Sequence, residues 1–161
     1  MILNGSANAD PNASDPSGIA SASCDPVDTT TAGTHTLTCT ATDTAGNTAT
    51  ASVSYDVTYA VALRYDPQRP TRYGINVELA LSLTDANGNN VSSRSIRVTA
   101  VALRDANGRT VQTLNTHFKY VKKNQSYIIK LKAKGLDKGT YQLEFRVAGD
   151  PVAHLAPFRL R

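Results

Sequence analysis

The sequence has no tryptophan, one methionine and three phenylalanines, and only 19% of its 161 residues are charged. Helical bundles draw on Leu, Glu and Lys, so a chain poor in charge and rich in Thr, Ser, Ala and Val points to thin β-sheets. Long apolar runs are missing too. Tyr59-Ala-Val-Ala-Leu63 is among the longest, far short of the ~18 residues of a membrane span. Residues 1–23 have neither a basic start nor an apolar centre, so no export signal is expected within this chain. Catalytic signatures are also lacking: there is no G-x-S-x-G, H-E-x-x-H, C-x-x-C, Walker loop or G-x-G-x-x-G. His35, His117 and His154 lie far apart in the chain and read as surface or structural residues. The expectation is a non-enzyme with no catalytic residues, no cofactor and no metal.

Charge of one sign is missing from the first third. Before Tyr59 there is no Lys or Arg, and Asp10, Asp15, Asp25, Asp28, Asp43 and Asp56 give a balance of −6. From Tyr59 onward, 17 basic residues meet seven acids, a balance of +10. So uneven a split predicts two units with separate surfaces, residues 1–58 and 59–161. No Gly or Pro interrupts Ser54–Arg64, so a short β-connection, stiffer than a Gly/Ser linker, is expected between them.

What the chain does contain is alternation. Residues 4–18 are Gly, Pro, Asn, Asp and Ser rich and read as a loop or frayed terminus. Ile19–Cys24 reads as a short strand. In Thr34–Thr42, Leu37, Cys39 and Ala41 alternate with threonines, the period of a half-buried strand. After the turn Asp43-Thr-Ala-Gly-Asn47, Ala51, Val53, Tyr55 and Val57 repeat the pattern, completing a hairpin. Further on, one core-facing set is Val77, Leu79, Leu81 and Leu83, and another is Ile96, Val98, Ala100 and Ala102. A third is Tyr127, Ile129, Leu131 and Ala133, and a fourth is Tyr141, Leu143, Phe145 and Val147, with Phe158 and Leu160 closing the chain. Short strands separated by turns, with no helical period, predict a β-sandwich.

Cys24 and Cys39 fall in strand-like segments. They suggest a disulfide, contributing roughly 3 kcal/mol and implying an oxidising compartment; the alternative is two buried thiols in a cytosolic protein. Asp137-Lys-Gly139-Thr-Tyr141 fits the tyrosine corner of immunoglobulin-like sandwiches, the alternative being an ordinary core tyrosine. Asp85-Ala-Asn-Gly-Asn89 begins like a calcium loop, but Asn90 and Ile96 stand where Gly and Glu are required. It and Asp105-Ala-Asn-Gly-Arg109 read as hairpin turns. Lys119, Lys122, Lys123, Lys130, Lys132 and Lys134 crowd together. They could hold an anionic polymer by charge, or could simply form a solvated face whose lysines discourage edge-to-edge pairing.

The run Cys24-Asp-Pro … Gly33-Thr-His-Thr-Leu-Thr-Cys39-Thr-Ala-Thr-Asp-Thr-Ala-Gly-Asn47 resembles the second half of a hyalin-repeat (HYR) domain. Leu63-Arg-Tyr-Asp66, Leu83-Thr-Asp-Ala-Asn-Gly-Asn-Asn-Val-Ser-Ser93, Lys134-Gly-Leu-Asp-Lys-Gly-Thr-Tyr141 and Gly149-Asp-Pro-Val-Ala-His154 resemble the PxKF-type module of bacterial extracellular proteins. Ile75-Asn-Val-Glu-Leu79 stands at that module's namesake motif. The resemblance implies two immunoglobulin-like modules in tandem, all-β, the first truncated at its N-terminus. It implies a non-catalytic structural or adhesive role on a secreted or cell-surface bacterial protein. Its partners would be other domains of the parent protein. The alternative is a binding module whose basic face takes an anionic glycan, a cell-envelope polymer or nucleic acid, nucleic acid being the least expected of the three.

Overall fold

A computed structural model describes residues 1–72 and 76–161. The strands are β1 (Ile19–Cys24), β2 (Gly33–Asp43), β3 (Thr48–Val57), β4 (Ala60–Leu63), β5 (Asn76–Thr84), β6 (Val98–Asp105), β7 (Thr110–His117), β8 (Lys119–Val121), β9 (Ser126–Lys132), β10 (Gly139–Val147) and β11 (Ala153–Leu160). A single 3-10 turn, Lys122–Asn124, is the only helical element among the described residues. The chain is all-β, as its alternation predicts.

Strands β4 to β11 stack as two four-stranded sheets, ordered β4-β5-β9-β8 and β11-β10-β6-β7. The chain crosses between them at β5–β6, β7–β8 and β9–β10, and all sheet neighbours are antiparallel. This order is that of an immunoglobulin-like Greek-key sandwich. The β4–β5 connection also touches the opposite sheet: Thr71 forms a parallel bridge with Leu160, and the Tyr65 hydroxyl donates to the Pro157 carbonyl at 2.8 Å. Between the sheets lies one apolar core. Val77, Leu79, Leu81 and Leu83 face Leu143, Phe145 and Val147, with Tyr127, Ile129 and Phe158 completing it. Each such side chain contributes about 1.5–3 kcal/mol of gross burial.

One core position differs from the simple alternation. The β6–β10 register shifts between Glu144 and Phe145, so Ala100 opposes Phe145 while Ala102 opposes Glu144. A bulge adds one residue and reverses which side chains face inward beyond it. Leu103, 2% exposed, therefore joins the core cluster, whereas Ala102, although buried, lies outside it.

Residues 1–58 form one three-stranded sheet, β1-β2-β3, with no facing sheet. The expected two cores thus reduce to one, drawn wholly from beyond residue 58. Without a partner layer the apolar face stays partly open: Leu37 is buried, yet Val53 is 53% exposed. The segment expected to fray instead lies against this face. Gly5, Ala7, Ala9, Pro11 and Ala13 are half-buried and the residues between them exposed. Pro11 and Ala13 line a groove of about 360 Å³ with Cys39, Ala41, Ala49 and Ala51.

Candidate functional site

Three Asp-turns share one design. In each, the aspartate N–H donates to the carbonyl four residues on, and one carboxylate oxygen accepts two backbone N–H groups. Asp43 takes those of Ala45 and Asn47, Asp85 those of Asn87 and Asn89, and Asp105 those of Asn107 and Arg109. The glycine at the fourth position adopts φ of +88°, +79° and +77° respectively, a region that costs glycine little. Side chains so engaged form the turns. No cluster of metal-ligating side chains occurs among the described residues.

Asp85 and a fourth aspartate, Asp150, lie where the part that carries β1 to β3 meets the sandwich. Asp85 is 5% exposed and accepts from Asn4 Nδ2 at 3.1 Å as well as from Asn89 Nδ2 at 3.2 Å. Its carboxyl is held below the usual range chiefly by the Asn4 hydrogen bond, with the Asn89 bonds adding to it. Beside it the Ala86 N–H donates to the Leu3 carbonyl at 2.9 Å. Gly5 completes the contact, since a Cβ there would lie 3.4 Å from the Ala86 Cβ and 2.8 Å from the Ile2 carbonyl oxygen of its own segment.

On the other side sits Asp150, in the turn between β10 and β11. It accepts from the Tyr59 N–H at 2.9 Å, the Val152 N–H at 3.0 Å and His154 Nε2 at 2.8 Å. That turn abuts the first sheet: a Cβ added at Gly149 would lie 3.8 Å from the Ala32 carbonyl oxygen, and one added at Gly33 would lie 3.7 Å from that of Gly149. Between these two clamps the chain passes through Thr58, whose N–H and carbonyl bond Met1 and Leu3, with Val57 fully buried. Asp85, Asp150 and the N-terminal residues therefore form a joint around the Ser54–Arg64 connection. Sequence spacing does not show this joint, because its hydrogen-bonded partners are up to 91 residues apart. The available signal was the pair of segments Asp-Ala-Asn-Gly and Gly-Asp-Pro that carry the PxKF resemblance.

Cys24 and Cys39 are directly opposed across β1 and β2 and form a disulfide. The Tyr141 hydroxyl donates to the Asp137 carbonyl at 3.0 Å, at the start of β10, and its ring stacks on Phe158. Burial raises its hydroxyl above the usual tyrosine range, and Gly139 opens the strand between them. Ile75, in the segment at the PxKF namesake motif, lies outside the described residues.

The lysines divide into groups. Lys119 opposes Ile128, and Lys130 and Lys132 follow on the same outward face of β8 and β9. Lys130 is paired there with Glu78 at 3.5 Å. Lys122 and Lys123 sit in the 3-10 turn and Lys134 in the turn after β9. Lys119 and Lys122 also border a larger groove of about 840 Å³, together with Arg94, Arg97, His117 and Tyr120. Reading the lysine run alone misses the two arginines and the histidine, which come from other segments. The histidines are dispersed: His35 stacks on Tyr55, His117 Nδ1 shares a 2.9 Å hydrogen bond with Thr99 Oγ1, and His154 stacks on Phe145.

No protein-family model and no curated protein matches the chain. Among solved structures it is similar to the Lin-41 filamin domain, at 18% identity and a TM-score of 0.38 over 63% of this chain and 91% of that one. It is also similar to domains 4 and 5 of the S-layer protein SbsC, at 10% identity and 0.37 over 78% and 65%. A third is the Drosophila OTK extracellular domains 3–5, at 15% and 0.35 over 79% and 39%. Scores this low do not define a family.

Proposed function

We propose that this chain is a non-catalytic structural and adhesive module of a secreted or cell-surface bacterial protein. Residues 1–58 would be a partial HYR unit and residues 59–161 a PxKF-type immunoglobulin-like sandwich. The joint is the observation that carries this reading. Buried Asp85 accepts from Asn4, and buried Asp150 from the Tyr59 N–H, where the small sheet meets the end of a sandwich, with no Gly or Pro between Ser54 and Arg64. Such a connection fixes the direction in which neighbouring parts of a longer protein would be held. The disulfide supports an oxidising compartment.

Distance measurements between spin labels test it. With one label at exposed Thr50 on β3 and one at exposed Gln112 on β7, a fixed joint gives a single narrow distribution, and replacing both Asp85 and Asp150 broadens it. A broad distribution in the parent chain would rule out an orienting role.

A further inference from the structure

The β5–β6 loop and the β7–β8 crossover form the two walls of the 840 Å³ groove. Arg94 and Arg97 come from one wall and Lys119 and Lys122 from the other, all exposed. No carboxylate lines the groove. The ion pairs among the described residues are Arg104–Glu144, Lys130–Glu78 and His154–Asp150, and none engages these cations. Four like charges across one groove focus a positive field into it and raise the local concentration of anions.

The groove is also pre-shaped. Buried Tyr127 lies at its floor, and its hydroxyl donates to the Ser93 carbonyl at 2.8 Å and accepts from the Ser93 N–H at 3.1 Å. Ser92 Oγ, itself buried, accepts the Leu83 N–H at 2.8 Å. The loop that carries Arg94 and Arg97 is thereby tied to the core, which lowers the ordering cost of binding.

We propose that this groove binds an anionic polysaccharide through carboxylate or sulfate groups on successive sugars. Guanidinium groups match such oxyanions with two parallel N–H donors. Nucleic acid fits less well. The rings of Phe118 and Tyr127 are buried, the half-buried Tyr120 ring packs on Tyr127, and the His117 ring is bonded to Thr99, so no tyrosine or phenylalanine ring stands free to stack a base. A binding role is separate from the orienting role of the joint, and either can fail without the other.

The test titrates the whole chain with polygalacturonate fragments, dextran sulfate fragments and an oligothymidylate of matched charge, at rising salt. At least one glycan binds, with affinity falling as salt rises. Arg94→Gln with Arg97→Gln weakens binding by about tenfold or more, the scale of losing charge-assisted contacts. Lys132→Gln with Lys134→Gln removes the same charge from the far end of the outer sheet face and the turn beyond it, and changes affinity less than about threefold, as expected of screened distant charges. Lys119→Gln with Lys122→Gln repeats the test from the other wall if the arginine variant fails to fold. Binding of only one glycan identifies which oxyanion the groove prefers. The proposal is overturned if neither glycan binds, if the oligothymidylate binds tighter than both, or if the groove variants and the sheet-face variant lose affinity equally.

Discussion

Removing the Asp150 carboxylate should be among the costliest single changes outside the apolar core. Its side chain is 0% exposed, and it accepts from Tyr59, Val152 and His154. Asp150→Ala leaves the two backbone N–H groups without their acceptor, and each unpaired buried donor costs about 1–3 kcal/mol. Water entering the vacated space recovers part of this, so the expected loss is about 3 kcal/mol. For a chain of this size that lowers Tm by about 6–12 °C. Asp150→Asn keeps one carbonyl oxygen but turns an N–H₂ toward one of the donors, so it should fall between parent and alanine variant. Urea unfolding followed by circular dichroism measures both, and amide exchange at Tyr59 locates the effect. An alanine variant that melts within about 2 °C of the parent would refute the reasoning, because it would place the loss below about 1 kcal/mol.

Further outcomes follow from other parts of the fold. Replacing Cys24 and Cys39 with serine opens a link with a sequence separation of 15 and should cost about 3 kcal/mol, seen as faster amide exchange in β1 and β2 while β10 keeps its protection. Tyr141→Phe removes the hydroxyl bond to Asp137 and should cost about 1 kcal/mol by urea titration, with the core otherwise intact. Asp28, Asp43 and Asp85 are all held below the usual carboxylate range, by hydrogen bonds led by Thr30, Asn47 and Asn4 respectively. Their contribution is therefore complete above the unfolded value near 4 and is lost as pH falls through the lower folded values. Unfolding titrations between neutral and acid pH should show the loss, and Asp85→Asn should reduce its size.

The parts of this fold that could be read in the sequence are those where one side of a strand is buried. Val77 to Leu83, Tyr127 to Leu131 and Tyr141 to Val147 alternate cleanly because each strand lies inside a sheet with a core on one side. β7 gave no such signal, since it is an edge strand whose residues are nearly all exposed on both faces. The β6 bulge brought Leu103 into the core cluster and left Ala102 buried outside it, an effect of pairing with β10 that no periodicity within β6 could carry. The N-terminal segment looked unstructured because alanine, glycine and proline bury little area. It is held by Thr29, Thr58 and Asp85, which only the folded chain brings near. The groove was half legible: Lys119 and Lys122 belong to a visible basic run, whereas Arg94 and Arg97 arrive from across a sheet crossing.

Amide hydrogen exchange along the whole chain tests most directly whether one core supports both parts. The slowest exchange should fall in β5, β6, β9 and β10, with β2 intermediate and the free edge of β3 fast, and breaking the clamps at Asp85 and Asp150 should speed β2 while leaving β10 unchanged. Protection in β2 and β3 equal to that in β10, and indifferent to those substitutions, would contradict the account.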